Sequence, residues 1–276
     1  MTDRYAVIGN PVAHSKSPFI HAEFARQTAQ DLVYERILAP LDRFASAVQD
    51  FRAEGGIGLN VTLPFKLEAF RLANECSARA QEAQAVNTLK FEGSAAYGDN
   101  TDGVGLVRDI QLNLGFHIEG RDVLVMGAGG AAQGALGALL DEKPARLVVA
   151  NRTVEKAELL AERWRAGRSL SAEIIRASGY AELAAQQFDL IVNCTAASLS
   201  DTAPDLPQGM FARDCLAYDM VYGKGMTPFL ELALSQGAGR LADGIGMLVE
   251  QAAESFLVWR GVRPQTRPVI EALKAR

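Results

Sequence analysis

Asp122-Val123-Leu124-Val125-Met126-Gly127-Ala128-Gly129-Gly130-Ala131-Ala132 passes from an uninterrupted apolar run into a glycine turn and then into a helical pattern that reaches Leu140. Apolar residues without alternation suit a strand covered on both faces. The turn has the form G-x-G-x-x-A. Its first glycine permits a tight bend, its second lets a pyrophosphate approach the backbone, and Ala132 keeps the helix close to the strand. The helix start adds free N–H groups and a partial positive charge. This strand–turn–helix context predicts dinucleotide binding at Gly127, Ala128, Gly129, Gly130 and Ala131. A glycine turn of purely steric origin is the bland alternative.

The next apolar run, Arg146–Ala150, ends in Asn151-Arg152-Thr153, where an NAD-selective site usually carries an acid for the ribose 2′-hydroxyl. Here the acid is missing, and Arg152 and Lys156 occupy its neighbourhood. A guanidinium there can pair with a 2′-phosphate, so NADP(H) is expected over NAD(H). Solvated helix-start residues are the competing reading. Thr153-Val154-Glu155-Lys156 also reads as a helix opening with a hydroxyl cap.

Further out, short β-branched runs alternate with helical periods. Strands are expected at Tyr5–Ile8, Leu32–Leu38, Ile57–Val61, Glu173–Arg176, Phe188–Asn193 and Leu216–Val221. Helices are expected at Pro18–Thr28, Leu41–Glu54, Phe65–Ala73, Thr101–Leu114, Thr153–Arg165 and Pro228–Ser235. The class is therefore α/β, with parallel sheets and crossover helices. Ser17-Pro18 and Leu63-Pro64 each read as a cap followed by a first-turn proline. A length of 276 residues suggests two domains, with a boundary near residue 102. A final helical stretch, Gly246–Trp259 then Val269–Lys274, has no strand after it and leaves open which domain it joins.

Composition excludes several classes. The 28 basic and 33 acidic residues leave a net charge of −5, so no basic field points to nucleic acid or an anionic membrane. The three cysteines are odd in number and widely spaced, which fits a reducing compartment, and no His/Cys pair has zinc-ligand spacing. The first residues lack a charged-then-apolar leader, and no run of ~18 apolar residues occurs; a cytoplasmic protein without a metal site is expected.

The first hundred residues hold three unusual segments. Gly9–Pro18 runs from strand to helix and brings the hydroxyls of Ser15 and Ser17 to the C-terminal edge of a parallel sheet, where α/β ligands sit. Turn bonding and capping would explain them equally well. Gly58–Lys66 places Asn60, Thr62 and Lys66 on the same edge. Lysines number only 7 against 21 arginines, and a lysine can donate a proton where an arginine cannot readily do so. First-turn lysines are ordinarily just solvated. The third segment joins Ala85-Val86-Asn87-Thr88 to Gly98-Asp99-Asn100-Thr101-Asp102-Gly103. Asp102 reads either as a helix cap or as a partner for Lys66; a partner would raise the lysine pKa and burial would lower it.

Taken together, the strings GNPVAHSKSPFIH, NVTLPFK, AVNT, GDNTDGVG, GAGGAA, NRT, DMVYGKGMTPFL and DGIGMLVEQA resemble the shikimate dehydrogenase family, in order and over nearly the whole chain. The resemblance implies NADPH-dependent reduction of 3-dehydroshikimate to shikimate in aromatic amino-acid biosynthesis. It implies that Ser15 and Ser17 hold the substrate carboxylate, and that Asn60, Thr62, Asn87, Asp102, Tyr222 and Gln251 make polar contacts to the substrate. Lys66 and Asp102 match the catalytic pair. Gly127–Ala131 match the pyrophosphate site, Asn151, Arg152, Thr153 and Lys156 the 2′-phosphate site, and Met220, Val221 and Gly244 the nicotinamide side. The family also implies a discontinuous substrate domain, 1–102 plus 238–276, around a Rossmann-type doubly wound domain, 103–237. The expected partners are small molecules, without nucleic acid or membrane, in a monomer or homodimer. Gln84 and Ser198 stand where the family commonly has glycine. Two rivals stay open: a quinate/shikimate dehydrogenase tolerant of NAD, and a catalytically silent cofactor sensor on the same fold.

Overall fold

A computed structural model describes residues 2–195, 204–223 and 225–275, so Ser198 lies outside the described residues. The chain divides into two compact units, Met1–Leu106 with Leu248–Arg276 and Val107–Met247. In chain order the first stretch holds β1 (Asp3–Gly9), α1 (Ser17–Thr28), β2 (Leu32–Leu38), α2 (Phe44–Ala53), β3 (Gly56–Val61), α3 (Lys66–Leu72), β4 (Glu75–Cys76), α4 (Ala78–Ala83), β5 (Thr88–Glu92) and β6 (Ala95–Asp99). Next comes α5 (Asp102–Arg108), continued by a π-helical turn at Asp109–Asn113. The second unit adds β7 (Asp122–Met126), α6 (Gly130–Asp141), β8 (Arg146–Ala150), α7 (Val154–Arg168), β9 (Ile175–Ser178), β10 (Phe188–Asn193), β11 (Phe211–Asp219), α8 (Pro228–Ser235) and β12 (Arg240–Ala242). The chain closes with α9 (Ile245–Arg260) and α10 (Arg267–Lys274). Among the described residues no helix is long and apolar enough to cross a membrane.

The second unit's sheet has the order β12-β11-β10-β7-β8-β9, and every pairing in it is parallel. Its core joins Leu124, Val148, Phe188, Ile191 and Phe229. The strand order reverses at β7, and a crevice at the carboxyl ends of β7 and β10 is where ligands of such sheets bind.

The first unit's sheet has the order β2-β1-β3-β5-β6-β4. The expected parallel pairing holds for part of this sheet and is interrupted by an antiparallel hairpin. Strands β3, β5 and β6 pair antiparallel, while β1 pairs parallel with β2 and β3. The β5–β6 hairpin escapes a propensity reading because Ala95-Ala96-Tyr97-Gly98-Asp99 contains no β-branched residue. Its turn carries Gly93 at φ +57°. The register then sets Asn60 opposite Thr88, and Thr88 opposite Asp99, in one row across three strands.

Helix starts differ from the pattern reading. Helix α1 begins at Ser17 with Lys16 in the cap position and no side-chain cap, and α3 begins at Lys66 rather than at Pro64. Thr153 occupies the cap position of α7, but its hydroxyl makes no capping bond. Gln84 sits at the end of α4 at φ +52°, a left-handed conformation for which glycine is the unstrained choice.

Candidate active site

The carboxyl edge of the first unit's sheet gathers the N-terminal candidates. The β1–α1 loop and the β3–α3 turn are tied by backbone bonds from Thr62 N–H to Ile8 O at 3.0 Å and from Asn10 N–H to Leu63 O at 2.9 Å. They approach so closely at Gly9 that an added Cβ would lie 2.3 Å from Thr62 Cγ2. In the loop, Ser15 and Ser17 hold their hydroxyl oxygens 3.2 Å apart, and Ser17 is buried. In the turn, Thr62 is half-buried and Lys66 opens α3.

Lys66 Nζ meets Asp102 Oδ2 at 2.6 Å, with side chains 16% and 7% exposed. The other carboxylate oxygen, Oδ1, accepts from Asn87 Nδ2 at 2.8 Å. An ion pair this far from water is geometrically fixed and screened little. It presents an ammonium, held on one side by a carboxylate, whose remaining N–H groups can serve a reacting oxygen.

Beneath the pair lies a buried polar network. Asn87 Oδ1 accepts from Thr88 Oγ1 and from Thr101 N–H, each at 2.9 Å. Asn60 Nδ2 donates to Ser255 Oγ at 2.9 Å, and Asn60 Oδ1 accepts from the Tyr34 hydroxyl at 2.7 Å. Gln251 Oε1 lies 3.4 Å from both Asn87 Nδ2 and Thr101 Oγ1. Residues 248–260 of α9 therefore pack in the first unit. There Gln251 crosses α5 so tightly that a Cβ on Gly105 would lie 2.6 Å from the Gln251 backbone nitrogen. Replacing Gly105 by alanine should cost about 1–3 kcal/mol, measured as a lower urea midpoint at unchanged slope.

Sequence reasoning missed Tyr34, Thr88, Thr101 and Ser255. Ser255 follows Gln251 by one helical turn, so i, i+4 spacing on α9 could have revealed it. His21, fully buried and stacked on Tyr34 with ring centroids 4.2 Å apart, is kept neutral, burial lowering its pKa to about 3.

In the second unit the glycine turn lies at the carboxyl end of β7. Gly127 takes φ +104°, and a Cβ there would meet the Cys194 backbone at 3.3 Å. At Gly129 and Gly130 an added Cβ would meet nothing within 4 Å, and no side chain caps the N-terminus of α6. Open backbone with free N–H groups at a helix start is the cradle a pyrophosphate requires. At the end of β8, Asn151 Nδ2 donates to Thr153 O at 2.8 Å. Arg152 and Lys156 are exposed, and no ion pair engages either among the described residues. The donor set fits a dinucleotide carrying an extra phosphate.

Elsewhere in that unit Met220, Val221 and Gly244 come together. Met220 N–H donates to Asn193 O at 3.0 Å and Gly244 N–H to Val221 O at 3.2 Å, and a Cβ on Gly244 would sit 2.3 Å from Met220 O. Tyr222 belongs to the same unit, half-buried, and burial raises its phenol pKa.

Comparison with known proteins follows this geometry. The model of the shikimate dehydrogenase substrate binding domain matches residues 7–89, that of shikimate / quinate 5-dehydrogenase residues 110–203, and that of the shikimate 5′-dehydrogenase C-terminal domain residues 244–274. The chain is 57% identical to shikimate dehydrogenase (NADP(+)) of Chromobacterium violaceum, over 99% of this chain and 98% of the relative. It is 58% identical to that of Nitrosospira multiformis, over 100% and 98%. The crystal structure of shikimate 5-dehydrogenase from Thermus thermophilus, in complex with NADP(H) and shikimate, is similar at a TM-score of 0.87 and 31% identity, covering 99% of each chain.

Proposed function

The chain belongs to the shikimate dehydrogenase family, and on that premise we propose that Lys66 and Asp102 carry out its proton transfer. The protein is an NADP-dependent oxidoreductase that interconverts 3-dehydroshikimate and shikimate. The observation that carries the catalytic reading is the 2.6 Å ion pair, mostly withdrawn from water, at the carboxyl edge of the sheet.

Ser15 and Ser17 take the substrate carboxylate, supported by hydroxyls 3.2 Å apart at the mouth of α1. Asn60, Thr62, Asn87, Asp102, Gln251 and Tyr222 make the polar contacts to the substrate. Lys66 holds a proton at Nζ and gives it to the C3 oxygen as that oxygen gains charge; in the reverse direction it takes the proton back. Asp102 orients the ammonium, and Asn87 in turn fixes Asp102. Gly127, Ala128, Gly129, Gly130 and Ala131 would hold the NADP pyrophosphate; Asn151, Arg152, Thr153 and Lys156 would hold its 2′-phosphate. Met220, Val221 and Gly244 would border the nicotinamide, which supplies the hydride when bound. We also place the protein in the cytoplasm, as a monomer or homodimer, with the free cysteines Cys76, Cys194 and Cys215 suiting a reducing compartment.

Steady-state rates with shikimate and quinate, each with NADP and NAD, test the whole reading. The shikimate–NADP combination should dominate, and a preference for quinate or NAD would overturn it. Replacing Arg152 by alanine should raise KM for NADP by about 10- to 100-fold and leave NAD nearly unchanged, because only the 2′-phosphate loses a charge-assisted bond. Equal losses for both cofactors would contradict 2′-phosphate recognition.

A further inference from the structure

The β1–α1 loop, Gly9 to Pro18, contains no acidic residue. Across from it, Tyr34 and Arg36 lie two positions apart on β2 and so project from the same face of the sheet. Tyr34 reaches Asn60 from that face, which locates Arg36 beside the serine–asparagine cluster. Arg36 Nε and Nη2 both donate to the carbonyl of Ser15, at 3.1 and 2.6 Å. Among the described residues no carboxylate pairs with Arg36, whereas the charge of Lys66 is met by Asp102.

We propose that Arg36 is a specificity-determining residue whose guanidinium, fixed on the Ser15 carbonyl, makes the Ser15–Ser17 hydroxyl pair select a carboxylate over a neutral group. The proposal rests on the assignment of Ser15 and Ser17 to the substrate carboxylate. Hydroxyls alone donate to or accept from almost any polar group, so they discriminate weakly between an acid and its ester. A fixed, uncompensated positive charge discriminates by sign. Arg36 is solvent-exposed, so screening holds its effect to about 5- to 10-fold.

The test measures kcat/KM for shikimate and for its methyl ester at saturating NADP, in wild type, Arg36→Met and Arg36→Lys. The acid-over-ester ratio should fall about 5- to 10-fold in Arg36→Met and stay within about 2-fold of wild type in Arg36→Lys, which keeps the charge. The ionic-strength dependence of kcat/KM for shikimate should flatten in Arg36→Met alone, a readout that holds even where the ester turns over too slowly to measure. Equal losses for acid and ester would make Arg36 a mere loop anchor and overturn the proposal, as would an unchanged salt dependence. A Ser15→Ala, Ser17→Ala double variant separates the two layers. If it leaves KM for shikimate unchanged, the carboxylate assignment itself fails; if it raises that KM while Arg36→Met changes nothing, only the role of Arg36 fails.

Discussion

Lys66→Ala should lower kcat by about 10²- to 10⁴-fold, with a much smaller change in KM for shikimate. The lysine is 16% exposed and its ammonium is held 2.6 Å from Asp102. On the proposed assignment it enters the reaction already oriented, and its loss would remove the proton donor for the C3 oxygen while sparing the carboxylate site proposed at Ser15 and Ser17. Deleting the ammonium also leaves Asp102 as a buried carboxylate with Asn87 as its side-chain donor, so a modest loss of stability is expected alongside. Lys66→Arg separates the two effects. It restores the charge opposite Asp102 and so the stability, but not the turnover, because a guanidinium does not readily release its proton. A Lys66→Arg enzyme of near wild-type kcat would show that charge alone suffices.

The second large effect is on stability and lies outside the reacting groups. Asp99, 3% exposed, accepts from Arg79 Nε and Nη2 at 2.7 and 2.6 Å, from the Ser77 hydroxyl, and from Asn100 N–H at 2.7 Å. Burial disfavours the charge on Arg79, but Asp99 and Glu254 outweigh it and hold its pKa above the ordinary value. Removing the acid leaves that guanidinium without its bidentate partner. Full burial would cost about 3–5 kcal/mol; with Arg79 32% exposed, Asp99→Ala should cost about 3 kcal/mol and lower Tm by about 10 °C. The damage would reach the proposed catalytic pair through a short covalent path. Asn100 follows Asp99, donates to Ala85 O at 2.9 Å and accepts from Asp102 N–H at 3.2 Å, so loosening the turn loosens Asp102. A variant with unchanged Tm and kcat would show that Arg79 finds other partners at no cost.

Legibility differed between the units for physical reasons. The second unit announces itself because its motif sits in consecutive residues: Gly127 takes φ +104°, and Gly129 and Gly130 leave open space, so composition and conformation coincide. In the first unit the individual motifs were visible, but their junction was not. Asn60, Thr88 and Asp99 meet only through the register of an antiparallel hairpin whose second strand, Ala95-Ala96-Tyr97-Gly98-Asp99, carries no β-branched residue. Arg79 carries no local mark at all, since its partners Asp99 and Glu254 lie 20 and 175 residues away. The side-chain caps that the pattern predicts fail for a related reason. Ser17 and Thr153 stand at helix starts as hydroxyl residues should, but Ser17 takes a bond from Ser15 and Thr153 makes no capping bond. Gln84 shows the converse: its left-handed conformation explains why glycine suits the position, and here a glutamine adopts it.

Single-turnover formation of NADPH absorbance, after rapid mixing of an enzyme–NADP complex with saturating shikimate, tests the central claim most directly, because it isolates the chemical step from product release. The Lys66–Asp102 assignment predicts that Lys66→Ala slows this phase by about 100-fold or more, while the shikimate dissociation constant stays within a few-fold of wild type. An unslowed phase in Lys66→Ala would contradict the assignment and place proton transfer on another group.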